Sequence, residues 1–314
     1  MKKLFVMTLA VAALASCSKV EPIEPGYKSA IGFGKSFVEN STKALIDEAA
    51  LKTENFAVWG TEKQGDNAAV SIFTAEEITW STTNSAWEYD STVRYWHKGH
   101  VYNFAAVAPF AHGLADMALV NGLPNTATYT LVNTGIDNQV DLLYAKSNPN
   151  ITPDRDDFAD KVNFTFDHQL AKVQFHITNS YSAGYTVQIE NLKIKASKSA
   201  TVTFPGAWSA HAALADDFKL PFTIANIAKG ATGVSEQSLI IPKGTDFDYT
   251  VEGTAKVIMN GTTVVKTIPL DYTIDSELKA GYHYNITADV KPGMPIQFNV
   301  TGINDFKPGS NVAM

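Results

Sequence analysis

Along most of the chain, apolar and polar residues alternate with a period of two. That spacing places every second side chain on one face of a β-strand. Ile31, Phe33 and Phe37 alternate with small or polar residues and predict a first strand. Phe56-Ala57-Val58-Trp59 predicts a second, and Tyr102 to Ala108 a third that Pro109 stops. Val162-Asn163-Phe164-Thr165-Phe166 alternates strictly, and Ala171 to Thr178 follows it. Within Tyr185 to Ile194, Val187, Ile189, Leu192 and Ile194 keep the period with one break, which predicts a bulge or bend. Glu236 to Pro242, Tyr249 to Met259, Thr263 to Tyr272, Tyr282 to Val290 and Ile296 to Gly302 complete the series. Asn260-Gly261 lies between two of these runs and predicts a hairpin.

Helical spacing is confined to Ser41 to Lys52 and to parts of Gly113 to Asn121 and Ala210 to Asp217. Short strands divided by frequent turns predict an all-β fold built from packed sandwiches. The Pro- and Asp-rich stretch Asn148 to Asp157 reads as a boundary. It would divide the chain into two tandem β-sandwich domains, residues 44–157 and 158–314.

The amino end changes the picture. Lys2 and Lys3 precede an apolar run from Leu4 to Ala15, too short for a helix across roughly 30 Å of hydrocarbon but suited to a signal peptide. The run ends in Leu14-Ala15-Ser16-Cys17, which resembles a lipobox. Small residues let the chain enter a narrow protease cleft, and the thiol receives the diacylglycerol. Residues 1–16 are therefore expected as a lipoprotein signal peptide and Cys17 as the lipid attachment site. Residues 17–43 then hold a tether and the first strand, since Pro22, Pro25 and Gly26 block regular structure after Cys17. Cys17 is the only cysteine, so no disulfide framework is expected and stability must come from a core. No later run has transmembrane length, which leaves the acyl chains as the expected contact with the outer membrane. A net charge of −7 without a basic stripe argues against nucleic acid as a partner.

Candidate chemistry is sparse. His97-Lys98-Gly99-His100 offers two imidazoles on a turn, with no third metal ligand beside them in sequence. Asp154, Asp156, Asp157 and Asp160 form an acidic loop that lacks the glycine and closing glutamate of a calcium-binding EF-hand. There is no Gly-x-Ser-x-Gly elbow and no phosphate loop opening a helix. No catalytic residue, metal or cofactor is expected, and the chain reads as a non-enzyme. Trp80, Trp87, Tyr89, Tyr95 and Trp96 suit either a sandwich core or an exposed sugar platform, with the core favoured.

Several separated motifs share one further pattern. They are the lipobox, Ile31-Gly32-Phe33, Ser41-Thr42-Lys43-Ala44, Phe56-Ala57-Val58 and Tyr95-Trp96. Tyr102-Asn103-Phe104-Ala105-Ala106-Val107-Ala108-Pro109 and Asp141-Leu142-Leu143-Tyr144-Ala145 follow. The series closes with Phe164-Thr165-Phe166-Asp167-His168-Gln169-Leu170-Ala171-Lys172-Val173 and Gly281-Tyr282-His283-Tyr284-Asn285-Ile286. In this order the chain resembles the fimbrillin-like (Mfa-like) family, subunits of the type V pili of Bacteroidales. The resemblance implies two sandwich domains of transthyretin-like topology and an outer-membrane lipoprotein at the cell surface or in a fimbrium. It implies a trypsin-like cut between Lys43 and Ala44, although the best-known pattern has arginine before the cut. It also implies that the removable first strand, through Ile31, Phe33 and Phe37, fills a groove that a neighbouring subunit later occupies. The implied partners are other pilin subunits and a host or bacterial surface ligand. Pro308 and Gly309 interrupt the short tail after Gly302, which keeps an accessory, tip or adhesin role open beside a shaft role. A non-polymerising surface lipoprotein that binds glycans or a host protein is the alternative.

Overall fold

A computed structural model describes residues 29–38, 46–132, 136–212, 218–244 and 248–303. In chain order its strands begin with β1 (Phe33–Val38), β2 (Phe56–Gln64), β3 (Val70–Ser81), β4 (Ala86–Glu88) and β5 (His100–Ala108). Next come β6 (Ala115–Val120), β7 (Leu123–Thr130), β8 (Leu143–Lys146), β9 (Val162–His168) and β10 (Ala171–Asn179). They continue with β11 (Tyr185–Lys195), β12 (Ser199–Thr203), β13 (Ala207–Ser209), β14 (Lys219–Phe222) and β15 (Thr232–Ile240). The last are β16 (Tyr249–Met259), β17 (Thr263–Ile274), β18 (His283–Val290) and β19 (Phe298–Ile303). One short helix, α1 (Glu48–Glu54), lies between β1 and β2, its first turn capped where Asp47 Oδ1 accepts from Ala50 N at 2.7 Å. The fold is all-β, as the alternation requires.

Seven strands close into a barrel in the order β1-β4-β3-β2-β5-β8-β9, with β1 pairing in parallel to β9. Two four-stranded sheets, β15-β10-β18-β19 and β14-β11-β16-β17, make the carboxy-terminal sandwich. A fourth sheet, β13-β12-β7-β6, joins the β6–β7 hairpin from the first half of the chain to β12 and β13 from the second.

The apolar run Phe104 to Ala108 follows from this arrangement. Phe104, Ala106 and Ala108 face the barrel core, while Ala105 and Val107 face a second core shared with the sandwich. Strand β2 divides in the same way, with Phe56 and Val58 inside and Ala57 and Trp59 outside. A strand buried on both faces loses the apolar–polar alternation of a half-solvated one.

Two expectations are corrected. The boundary at 157/158 does not follow the sheets, because β9 supplies Val162, Phe164 and Phe166 to the barrel core. The stretch Asn148 to Asp157 is instead a loop between two barrel strands, held where Ile151 and Tyr102 exchange backbone hydrogen bonds of 2.9 and 2.8 Å. Gly113 to Asn121 contains strand β6 rather than a helix, because it pairs with β7. The break in β11 does coincide with a register shift between Glu190 and Lys193 in its pairing with β16. At the predicted hairpin, Asn260 and Gly261 have φ of 51° and 75°.

Candidate functional site

The first strand has an unequal seat. On one side β1 runs parallel to β9, with Ser36, Phe37 and Val38 opposite Phe164, Thr165 and Phe166. On the other it meets β4 at one residue pair, Phe33 with Trp87. A cleft of about 360 Å³ lies along that second side, lined by Phe33, Ser36, Phe37, Trp80, Trp87 and Lys161 among others. The carbonyl of Gly32 accepts from Val162 N at 2.9 Å, and Asn163 Oδ1 accepts from Lys35 N at 2.8 Å.

Side chains complete the seat. The Phe33 ring lies 5.5 Å from Phe73, 6.0 Å from Tyr89, 6.1 Å from Phe164 and 6.4 Å from Phe104. Ile31 and Phe33 are each 1% exposed. Phe37 is 43% exposed, and the buried position beyond Phe33 belongs to Val38 at 6%. A register shift between Phe33 and Ser36 causes the change, because one displaced residue turns the following side chains to the opposite face. Phe37 therefore stays out of the barrel core, and Val38 takes the buried position expected of it.

A loop clamps the segment ahead of β1. Ile31 N donates to Arg94 O at 2.7 Å, Trp96 N donates to Ser29 O at 2.9 Å, and Tyr89 Oη donates to Ile31 O at 3.1 Å. Arg94 braces the loop, its guanidinium 4.4 Å from the Phe73 ring centre and 3.2 Å from Glu76 Oε2. Burial of Tyr89, outweighing the nearby guanidinium, raises its phenol above the ordinary value. The residues Cys17, Lys43 and Ala44 lie outside the described residues.

The tryptophan-rich stretch is largely core. Trp87 packs 4.7 Å from Phe56, and Trp96 lies 4.8 Å from Tyr102 and 5.3 Å from Phe158. Both are buried, so neither ring offers a face to a sugar. Only Trp80 of the three is half-exposed, with Lys52 Nζ 4.6 Å from its ring centre. In the acidic loop, Arg155 pairs with Asp154 at 3.1 Å and with Asp157 at 3.3 Å, so part of its charge is internally balanced.

One grouping was invisible in the sequence. Glu62 near the end of β2 stands opposite Tyr102 on β5, and this register carries its carboxylate to the His97–His100 turn. His100 Nδ1 lies 2.6 Å from Glu62 Oε1, Tyr102 Oη donates to that oxygen at 2.8 Å, and His97 Nδ1 contacts it too. Burial acts to raise the Glu62 pKa, but hydrogen bonds from Tyr102, His97 and His100 overcome it and leave the pKa low. The phenol of Tyr102 is raised, first by burial and then by the carboxylate it serves. Only knowledge of the β2–β5 register could have brought Glu62 to the two histidines.

The chain is an all-β protein whose barrel is closed by its own first strand, β1, between β9 and β4. The fimbrillin-like family profile matches residues 42–305, and the chain belongs to that family. Among solved structures, a candidate cell adhesion protein from Bacteroides ovatus superposes with a TM-score of 0.53 at 15% identity, covering 88% of this chain and 98% of its own. Another, from Bacteroides uniformis, gives 0.51 at 16% identity, covering 89% of this chain and 99% of its own. At such identities the likeness is one of fold. No curated protein matches the chain.

Proposed function

We propose that this protein is a fimbrial subunit or fimbria-associated adhesin that assembles by exchange of its first strand. In this reading the chain is lipidated at Cys17, sits at the outer face of the outer membrane, and is cut between Lys43 and Ala44. The cut frees residues 29–38 to leave, and an extended segment of another subunit takes their place on β9. Main-chain hydrogen bonds to β9 supply affinity, and side chains entering the pockets of Ile31, Phe33 and Val38 supply register.

The observation that carries the reading is the one-sided seat of β1. A strand paired along β9 but joined to β4 at a single residue can depart without breaking a second full ladder. Its departure uncovers the β9 edge and three apolar pockets. At about 1.5–3 kcal/mol for each fully buried side chain, refilling them is worth roughly 5–9 kcal/mol. An uncovered edge above such pockets is a template for another strand.

The test uses the chain and a locked variant. Phe37 and Thr165 are Cα partners and both are exposed on the outer face. Neighbouring strands lie about 4.8 Å apart, within the span of a disulfide, so Phe37→Cys with Thr165→Cys should lock the seam when oxidised. Limited digestion with a trypsin-like protease should cut after Lys43 and yield higher assemblies by size exclusion and electron microscopy. The oxidised variant should be cut but stay monomeric until reduced. A cut chain that keeps residues 29–38 bound, and remains monomeric at high concentration, overturns the exchange mechanism.

A further inference from the structure

At the open end of the β2–β5 pair, two imidazoles and a carboxylate converge on one point. One ring nitrogen of His97, one of His100 and an oxygen of Glu62 all lie within 4.8 Å of one another, and both Nδ1 atoms contact Glu62 Oε1. The turn that presents the histidines is held from several directions. Gly99, with φ of 74°, lets the chain reverse so that both rings reach the same side, and their centres stand 5.1 Å apart. Gly99 N donates to Pro153 O at 2.9 Å, and His100 N donates to His97 O at 3.2 Å. His97 N donates to Tyr102 Oη at 2.8 Å, so one phenol anchors both the turn and the carboxylate.

Three groups point at a single oxygen. His97, His100 and Tyr102 all approach Glu62 Oε1, although a carboxylate oxygen offers about two lone-pair directions. A cation between the rings and the carboxylate removes that crowding. With each imidazole carrying its proton on Nε2, both Nδ1 lone pairs turn to the ion and Oε1 supplies a third bond. Small outward rotations of the rings would open the ligand bonds of about 2.0–2.2 Å that zinc takes with nitrogen and oxygen. Tyr102 then serves as the group that orients the carboxylate from behind, the role that hydrogen-bonded neighbours play around metal ligands. Side-chain exposures of 33% for His97, 20% for His100 and 18% for Glu62 leave a path from solvent and room for a water as fourth ligand.

We propose that Glu62, His97 and His100 form a binding site for a divalent transition-metal ion, with Zn²⁺ the ion it suits. The donor set selects the class: two imidazoles favour zinc and its neighbours, whereas Ca²⁺ and Mg²⁺ seek shells of oxygen. The ion would tie β2 to the turn that follows Trp96, whose amide holds Ser29. This inference stands whether or not the first strand is exchanged.

The full chain, carrying Cys17→Ser to remove the thiol and purified without a polyhistidine tag, is stripped with chelator and titrated calorimetrically with Zn²⁺. One ion per chain is expected, with a rise in Tm, undisturbed by excess Ca²⁺. Co²⁺ should give the visible absorption of a four-coordinate site. His97→Asn and His100→Asn should each abolish saturable binding, and Tyr102→Phe should weaken it about 10–100-fold. The histidines are only partly buried, so Tm without metal should confirm that these variants fold. Absence of saturable Zn²⁺ binding by the unsubstituted cluster overturns the proposal, as does an unchanged stoichiometry in the His97→Asn, His100→Asn double variant.

Discussion

Asp141 and His168 meet in the interior, where His168 Nδ1 lies 2.9 Å from Asp141 Oδ2, both side chains almost wholly excluded from water. The contact joins two motifs far apart in the sequence and stands where the barrel hands over to the carboxy-terminal sandwich. The next residue, Gln169, ties that crossing to the start of β8 and to the β12–β13 hairpin. Its amide donates to Leu142 O at 2.8 Å, its Oε1 accepts from Gly206 N at 2.6 Å, and its carbonyl accepts from Trp208 Nε1 at 2.8 Å. Removing the acceptor with Asp141→Ala should therefore destabilise the chain by about 1–3 kcal/mol, the cost of leaving a buried polar group short of a partner. Urea unfolding followed by tryptophan fluorescence would check it. A change within a few tenths would mean that the pair contributes nothing net.

The two phenylalanines of the first strand should behave oppositely. Phe33→Ala removes a ring packed against Phe73, Tyr89, Phe104 and Phe164, and should cost about 3–5 kcal/mol. Phe37→Ala alters an exposed ring and should stay within about 0.5 kcal/mol. Denaturant midpoints of both variants decide it. Equal losses would place Phe37 in the core and undo the assignment of Val38 to that pocket.

A third prediction concerns Gly60 on β2. A Cβ there would stand 2.6 Å from Phe104 Cδ1 and 2.9 Å from Phe73 Cδ2, two rings that themselves surround Phe33. Gly60→Ala should thus overpack the barrel and cost about 1–3 kcal/mol, despite a backbone that alanine can adopt. It should also speed loss of the first strand after proteolysis, because the displaced rings form its seat. Hydrogen exchange at the amide of Ile31 would report that loosening.

Much of this fold was legible because its strands are half-buried, and the alternation in β9, β10, β16 and β18 follows their burial closely. Strands without that contrast escaped. In β6 every residue but Met117 is exposed, so no apolar face marks it. In β3 Phe73 and Ile78 are the fully buried positions, separated by an odd number of steps. The buried face of the first strand was legible at Ile31 and Phe33, which precede the irregularity in β1, and was misread at Phe37 beyond it. The carboxylate of Glu62 was out of reach for another reason. Its neighbours come from strand register, which is a property of the folded sheet and leaves no mark at short range in the chain.

The alkaline limit of stability should be set by buried phenols. Burial first, against a hydrogen bond from Lys279 N, pushes Tyr284 up to about 12 from an ordinary value near 10. Burial raises Tyr144, burial and the Asp141 carboxylate raise Tyr129, and burial dominates at Tyr249. A folded-state pKa above the unfolded one means that the native chain holds its proton more tightly. The associated stability is whole below about pH 10 and is lost as pH rises through the folded-state values. Tyr144 isolates the effect, because its hydroxyl is buried without a hydrogen-bond partner among the described residues while its ring stacks 4.4 Å from Phe204. Tyr144→Phe keeps the stack and should be neutral or slightly stabilising at neutral pH. Above about pH 10 its stability should fall less steeply than that of the native chain, by up to about 1.4 kcal/mol per pH unit. Urea unfolding at a series of alkaline pH values, with phenolate absorbance followed in parallel, would read both quantities. Parallel slopes for the two proteins would show that the Tyr144 phenol ionises as readily in the folded chain as in the unfolded one.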